Sequence, residues 1–247
     1  MALNIKSGKQ PRAQKVVIYG SEGIGKTTLA AQFPDPLFLD LEDGSAQLDV
    51  NRINDITTWT ELSAAVAEII KTDGICKTLV IDTADKAELL ASKYICQANN
   101  KKGIEEFGYG KGYQYLAEQM AALISYLDLL IKKGINVVVI CHGAMRKFEQ
   151  PDEMGAYDRW ELKLNKKVAP LFKEWADMLL FINYKTNVTL LDGGKAKASG
   201  GRRVVYTTHS PCWDAKNRHG LPDEFDLSYE PLKPIFEEGK KNENKQK

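Results

Sequence analysis

Short apolar runs alternate along this chain with longer stretches of helical period. Lys15-Val-Val-Ile-Tyr19 reads as a buried strand, and Lys26 to Phe33 as a helix stopped by Pro34 and Pro36. Leu37 to Leu41 and Thr78 to Asp82 are two further strands. Between them, Thr58-x-x-Glu61 forms a capping box ahead of a helix with Leu62, Val66, Ile69 and Ile70 on one face. A helix is expected from Asp85 to Gln97, with Asp85 as its cap, followed by a polar, Gly-rich loop from Asn99 to Gly112. Tyr115, Leu116, Gln119, Leu123, Tyr126, Leu127 and Leu130 mark one face of a long helix ended by Gly134. Ile135 to Cys141 is a fourth strand, and residues 143–166, without a clean period, read as a long mobile loop. Lys167 to Ala176 reads as a helix, Met178 to Tyr184 as a strand, and Asn187 to Thr208 as a hairpin with a basic tip. Strands alternating with helices imply an α/β fold, a mostly parallel central sheet flanked by helices, with the hairpin toward the C-terminus. Residues 1–14 are expected to be flexible, 15–236 to form one domain, and 237–247 to be a disordered charged tail.

Composition narrows the function classes. Apolar residues are 43% and charged residues 27% of 247, as in one large folded domain rather than a disordered chain. The net charge of +1 offers no general attraction for a polyanion, so any nucleic-acid contact falls to local basic loops. Cys76, Cys96, Cys141 and Cys212 form no CxxC pair and read as core thiols of a reducing compartment. The N-terminus has no apolar secretion segment, and the Ile135–Cys141 run is too short to span a bilayer. A cytoplasmic protein without a membrane partner is expected.

The chemistry concentrates at Gly20-Ser21-Glu22-Gly23-Ile24-Gly25-Lys26-Thr27, with Thr28 behind it. This is the phosphate-loop pattern, and it sits between a strand and a helix as that pattern requires. Glycines let backbone N–H groups curl around phosphates, and the helix N-terminus adds free donors. Lys26 supplies charge for the β- and γ-phosphates of ATP, and the Thr27 hydroxyl suits Mg²⁺. Asp82, at the end of a buried strand, is placed to hold a magnesium-bound water, or else it caps the next helix. Glu42 ends the second strand, where a carboxylate can activate the attacking water. Asp40 lies on the same side by period-2 alternation and competes for that role. His142, after the fourth strand, is either a γ-phosphate sensor or a structural histidine.

The order of these residues resembles the RecA-type ATPase core, with Lys26 and Thr27 in the Walker A loop, Glu42 as catalytic glutamate, Asp82 as Walker B and His142 at the sensor position. Lys216-Asn217-Arg218-His219-Gly220 is similar to the Lys-Asn-Arg-x-Gly motif of RadA and DnaB-like ATPases. That resemblance implies that Lys216 and Arg218 act on the γ-phosphate of a neighbouring subunit, in a ring or filament with ATP between subunits. The likeness over roughly residues 15–225 extends to phage-encoded, core-only members, including the Sak-type single-strand annealing group. RecA's N-terminal oligomerisation helix and C-terminal domain are expected to be missing.

The resemblance implies a single-stranded-DNA-stimulated ATPase of recombination or replication. Two loops would contact DNA. The first carries Lys101, Lys102, Tyr109, Lys111 and Tyr113, rings and lysines suited to stacking and phosphate contact. The second carries Arg146 and Lys147, with Phe148, Tyr157, Arg159, Trp160 and Lys163. A third basic cluster, Lys195, Lys197, Arg202 and Arg203, lies on the hairpin. The alternatives are an annealing module with negligible turnover, a helicase or loader ATPase, and a small-molecule phosphotransferase.

Overall fold

This computed structural model describes residue 5, residues 7, 8 and 10, and residues 12–149, 155–190 and 196–237; side chains at 187–190 and 196–199 are outside the description. The tail from 238 onward lies outside the described residues.

The parallel core is built from β1 (Lys15–Gly20), β2 (Pro36–Asp40), β3 (Asn51–Ile53), β4 (Thr78–Asp82), β5 (Asn136–Glu149) and β7 (Met178–Leu190), with β8 (Ala196–Tyr206) and β9 (Glu224–Asp226) added antiparallel. Their order across the sheet is β3-β2-β4-β5-β1-β7-β8-β9. The central strands carry unbroken apolar runs, at residues 16–19, 79–81, 137–141 and 178–182, because helices cover both faces there. In β1, Val17 and Tyr19 enter one core while Val16 and Ile18 enter the other, and β5 divides Val137 and Val139 from Val138 and Ile140 in the same way. The larger core lies under α2 (Trp59–Lys71), α3 (Ala84–Ala98), α4 (Lys111–Lys132) and α5 (Ala169–Trp175). The smaller one lies under α1 (Lys26–Ala30) and the segment that ends in α6 (Lys233–Glu237).

Local expectations meet several corrections. The helix after the phosphate loop stops at Ala30, three residues short of Phe33, and Phe33 turns into the smaller core. α3 is capped by the Thr83 hydroxyl, which accepts from Lys86 N at 3.3 Å, so Asp85 is not the cap. The α4 core stripe is Leu116, Met120, Leu123, Leu127 and Leu130; Tyr115 and Tyr126 lie on its flank and are exposed. Residues 99–112 contain a 3₁₀ turn, Ile104–Phe107, whose apolar ends pack on the core. The long loop expected over 143–166 is replaced, at 143–149 and 156–162, by strands: β5 runs on past the sheet to Glu149 and pairs antiparallel with β6 (Ala156–Leu162), and residues 150–154 lie outside the described residues. The hairpin is longer than expected, because β7 runs from Met178 to Leu190 and pairs with β8 from Phe181 onward, with a register shift between Lys185 and Thr186. At the N-terminus, residues 12–14 are tied down: Arg12 meets Asp177 at 2.6 Å and Gln14 N donates to Asn136 Oδ1. Cys76, Cys96 and Cys141 are buried thiols as expected, whereas Cys212 is exposed.

Candidate functional site

The phosphate loop leaves the sheet at the C-terminal end of β1. Gly20 is required there by close approach, since a Cβ would sit 2.2 Å from Ile182 O of the adjacent β7. Gly25, at φ 108°, begins α1 in a conformation that side chains disfavour. Ser21, Glu22 and Gly23 form the outer arch, Ile24 anchors it by burying its side chain in the smaller core, and Thr28 stands exposed on the first turn. Lys26 is buried, and its ammonium donates to Gly20 O at 3.0 Å and Ser21 O at 2.8 Å. Burial lowers its pKa, opposed by Asp82 and Asp85. These two carbonyl bonds hold the ammonium inside the arch, from which it can be transferred to phosphate oxygens at little desolvation cost.

Asp82 and Thr27 close the other side. The Thr27 hydroxyl donates to Asp82 Oδ2 at 2.8 Å, across a separation of 55 residues. Asp82 is therefore not the cap of α3. β4 is not beside β1; β5 lies between them, and α1 packs over β1 and β5 so that Thr27 reaches the end of β4. Burial pushes the Asp82 carboxyl up to about 6, and Asp40 and Glu42 add to that rise while Thr27 and Lys26 oppose it. A hydroxyl and a strongly desolvated carboxylate at one spot are a hard-oxygen donor pair, which fits Mg²⁺ held jointly with substrate phosphates. Gly23, Gly25, Lys26, Thr27, Thr28, Glu42, Gly44, Asp82 and His142 share one hollow of about 330 Å³.

Asp40 and Glu42 separate cleanly. Asp40 is buried and accepts from Gly44 N at 3.0 Å, Ser45 N at 2.9 Å and the Ser45 hydroxyl at 2.5 Å, so its lone pairs hold the turn after β2. Glu42 is half-exposed and lies in the hollow, 3.9 Å from His142 Nε2. On the far side of the ring, Asp85 Oδ1 lies 3.6 Å from His142 Nδ1, and its Oδ2 accepts His142 N at 2.9 Å. The Asp85 carboxylate raises the His142 pKa, with burial opposing it.

Beside this hollow opens a groove of about 890 Å³ bounded by α3, α4 and the β5–β6 hairpin. Tyr113 and Arg146, each expected in a DNA-contacting loop, both line it, but Tyr113 and Lys111 belong to the first turn of α4 and Arg146 to β5. Tyr113 donates its hydroxyl to Glu105 at 3.1 Å, Lys101, Lys102 and Lys111 are exposed, and the Tyr109 ring is fully exposed. Arg146 donates to Leu164 O and faces Glu161, while Lys147 is exposed. Arg159 is buried, held by Pro211 O and Asp214, so it supports the fold rather than a mobile loop. Arg202 and Arg203 lie toward the base of the β7–β8 hairpin, not its tip. Arg202 pairs with Glu224 and Asp226, and Arg203 donates to Ile24 O of the phosphate loop at 3.2 Å. Lys195, and the side chain of Lys197, lie outside the described residues.

Lys216 and Arg218 are at the opposite end of the sheet. Lys216 is bridged to Leu179 near the start of β7, and its ammonium donates to Glu174 O at 3.2 Å. Arg218 faces Asp177 at 3.5 Å. Asp177 lies five residues before Ile182, the partner of Gly20, which is about 16 Å of strand. Neither cation is placed for the phosphate loop of its own chain. Sequence reasoning made Asp85 a helix cap and Arg203 a DNA contact, and missed their site partners, which are 57 and 179 residues away.

A relative over 140 residues, 26% identical, is the SPbeta prophage-derived uncharacterized protein YorG of Bacillus subtilis (strain 168); the match covers 53% of this chain and 42% of that protein, so the chain spans well under half of its length. Residues 12–219 match the family described as an AAA domain. That match takes in both sides of the phosphate hollow and most of the sheet, and the chain belongs to this AAA-domain family of P-loop ATPases.

Proposed function

We propose that the chain is a Mg²⁺-dependent, single-stranded-DNA-stimulated ATPase of RecA-like type, acting in phage DNA recombination by strand annealing or in replication. The observation that carries this reading is the division of the machinery between two ends of the sheet. Lys26, Thr27, Asp82, Glu42 and His142 meet at one end, while Lys216 and Arg218 lie at the other. Such a division suits a ring or filament in which one copy completes the site of the next. In this reading Lys26 holds the β- and γ-phosphates, and Glu42 takes a proton from the attacking water. The neighbour's Lys216 and Arg218 offset charge on the leaving phosphate oxygens. Thr27 and Asp82 hold Mg²⁺, which when bound neutralises phosphate charge. The loop of Lys101 to Tyr113 and the β5–β6 hairpin border one groove next to Glu42 and His142, which supports their joint response to DNA. The prophage origin of YorG is consistent with a phage setting.

The test is ATP hydrolysis with and without single-stranded DNA over a range of chain concentration, with Lys26→Ala as control. Stimulation by DNA that steepens with concentration is expected. A rate indifferent to both would overturn the reading. The groove of about 890 Å³ opening beside Glu42 favours a second reading, a phosphotransferase whose acceptor binds there. That reading expects slow hydrolysis, unaffected by DNA, and faster ATP consumption when an acceptor is supplied.

A further inference from the structure

His142 is held from three directions. α3 contributes Asp85, whose Oδ2 accepts the His142 backbone N–H at 2.9 Å. The turn after β2 contributes Glu42, with its Oε2 3.9 Å from Nε2. The end of β6 contributes Lys163, whose backbone N–H donates to His142 O at 2.9 Å while its ammonium faces Glu22 at 3.6 Å. The charged groups that act on the ring are Asp85 and Glu42, both favouring its cation, and Lys26 of α1, opposing it.

The cap of α3 is Thr83. Asp85 Oδ1 is buried and, among the described residues, accepts no hydrogen bond, and the donor facing it is His142 Nδ1 at 3.6 Å. A small rotation of the ring converts that approach into a charge-assisted bond. A carboxylate on one imidazole nitrogen settles where the proton sits and which way the other nitrogen points.

We propose that Asp85 is the positioning residue that keeps a proton on His142 Nδ1 and aims Nε2–H to alternate between Glu42 and the terminal phosphate of bound ATP. This deepens the ATPase reading and rests on it. Without a γ-phosphate, Nε2–H faces the Glu42 carboxylate from 3.9 Å, and its charge makes that carboxylate a weaker base. When the γ-phosphate draws Nε2–H to itself, Glu42 is released to work as a base. In the hydrolytic step, water oxygen bonds to the γ-phosphorus, one water proton passes to Glu42, and the bond to the β-phosphate oxygen breaks with its electron pair leaving on that oxygen. His142 keeps both protons throughout, so it gates the base without being consumed.

The experiment is side-chain ¹⁵N NMR of the histidines in the full, nucleotide-free chain across pH, with Glu42 intact and the His142 signals assigned from an H142Q spectrum. Wild type is expected to titrate above the ordinary histidine value of about 6.5, with Nδ1 protonated in the neutral ring. D85N is expected to bring that midpoint down to or below the ordinary value and to shift the neutral ring to the other tautomer. D85E, which keeps the carboxylate, is expected to restore both in part. In turnover, D85N is expected to lower kcat roughly 10- to 100-fold at nearly unchanged KM for ATP. A wild-type His142 titrating at or below the ordinary value overturns the proposal even if D85N fails to fold. So does a folded D85N in which midpoint and tautomer are unmoved. The NMR result does not depend on hydrolysis, so a chain that turns over no ATP would defeat the ATPase reading while leaving the Asp85–His142 link to be judged separately.

Discussion

At the scale of one residue, Asp82 shows how function is set against stability. Its side chain is 3% exposed, and burial raises its pKa from 3.8 to about 6. The folded state thus holds this proton more tightly than the unfolded chain does. The favourable contribution is full below pH 4 and is lost as pH rises through about 6. Above that, the ionised carboxylate costs the nucleotide-free fold about 3 kcal/mol. Asp82→Asn keeps an acceptor for the Thr27 hydroxyl and removes the charge. Denaturant unfolding at pH 8 is expected to show the variant more stable by about 2 kcal/mol, with the gain shrinking toward zero at pH 4. A gain equal at both pH values would rule out charge burial as its source. The same variant is expected to lose Mg²⁺-dependent hydrolysis. The phosphate loop was legible at this scale because its eight residues are contiguous and Gly20, Gly25, Lys26 and Thr27 each have a phosphate-binding reason at fixed spacing. Asp85 and Arg203 were not, because nothing near them in sequence signals a partner on a distant element.

At the scale of the element, the turn after β2 carries Glu42 and is held by Asp40. Asp40→Ala leaves Gly44 N, Ser45 N and the Ser45 hydroxyl without their acceptor. A stability loss of about 3 kcal/mol is expected. In the ATPase reading kcat falls with it while KM for ATP changes little, because Glu42 loses its place and Lys26 does not. Steady-state kinetics beside urea titration checks both, and an unaltered kcat in the folded variant would exclude Glu42 from the base role. Sequence alternation could not separate Asp40 from Glu42, since both point to one side; only burial distinguishes the clamp from the exposed acid. The β5–β6 hairpin escaped sequence reading for a related reason. It projects beyond the covered sheet, and Arg159 and Leu162 are the residues buried along β6, so no apolar alternation marks it. The central strands, covered on both faces, announced themselves as unbroken apolar runs. α4 was found with Leu116, Leu123, Leu127 and Leu130 of its buried stripe, but its face was drawn too wide, because Tyr115 and Tyr126 repeat eleven residues apart along the flank and have the hydrophobicity of core residues without their burial.

At the scale of the whole molecule, the alternation of strands and helices fixed the fold class, but strand order and the separation of cations from phosphate loop came only with the three-dimensional structure. The separation yields a test that neither half of the site provides alone. In the interface reading, Glu42→Gln disables a chain's own site, whereas Arg218→Ala disables the site of its neighbour. Each variant alone is expected to be nearly inactive. Mixed in equal amounts and allowed to exchange, they create interfaces in which an intact Glu42 on one chain meets an intact Arg218 on the next. Random assembly makes about a quarter of all interfaces of this kind, so recovery toward roughly a quarter of wild-type turnover is expected. Arg218 faces Asp177 at the far end of β7 and can reach a phosphate loop only across a subunit boundary, so recovery on mixing is the signature of that boundary. If the two variants exchange subunits and no activity returns, Arg218 serves its own chain by holding Asp177, and the assembly with ATP between subunits must be given up.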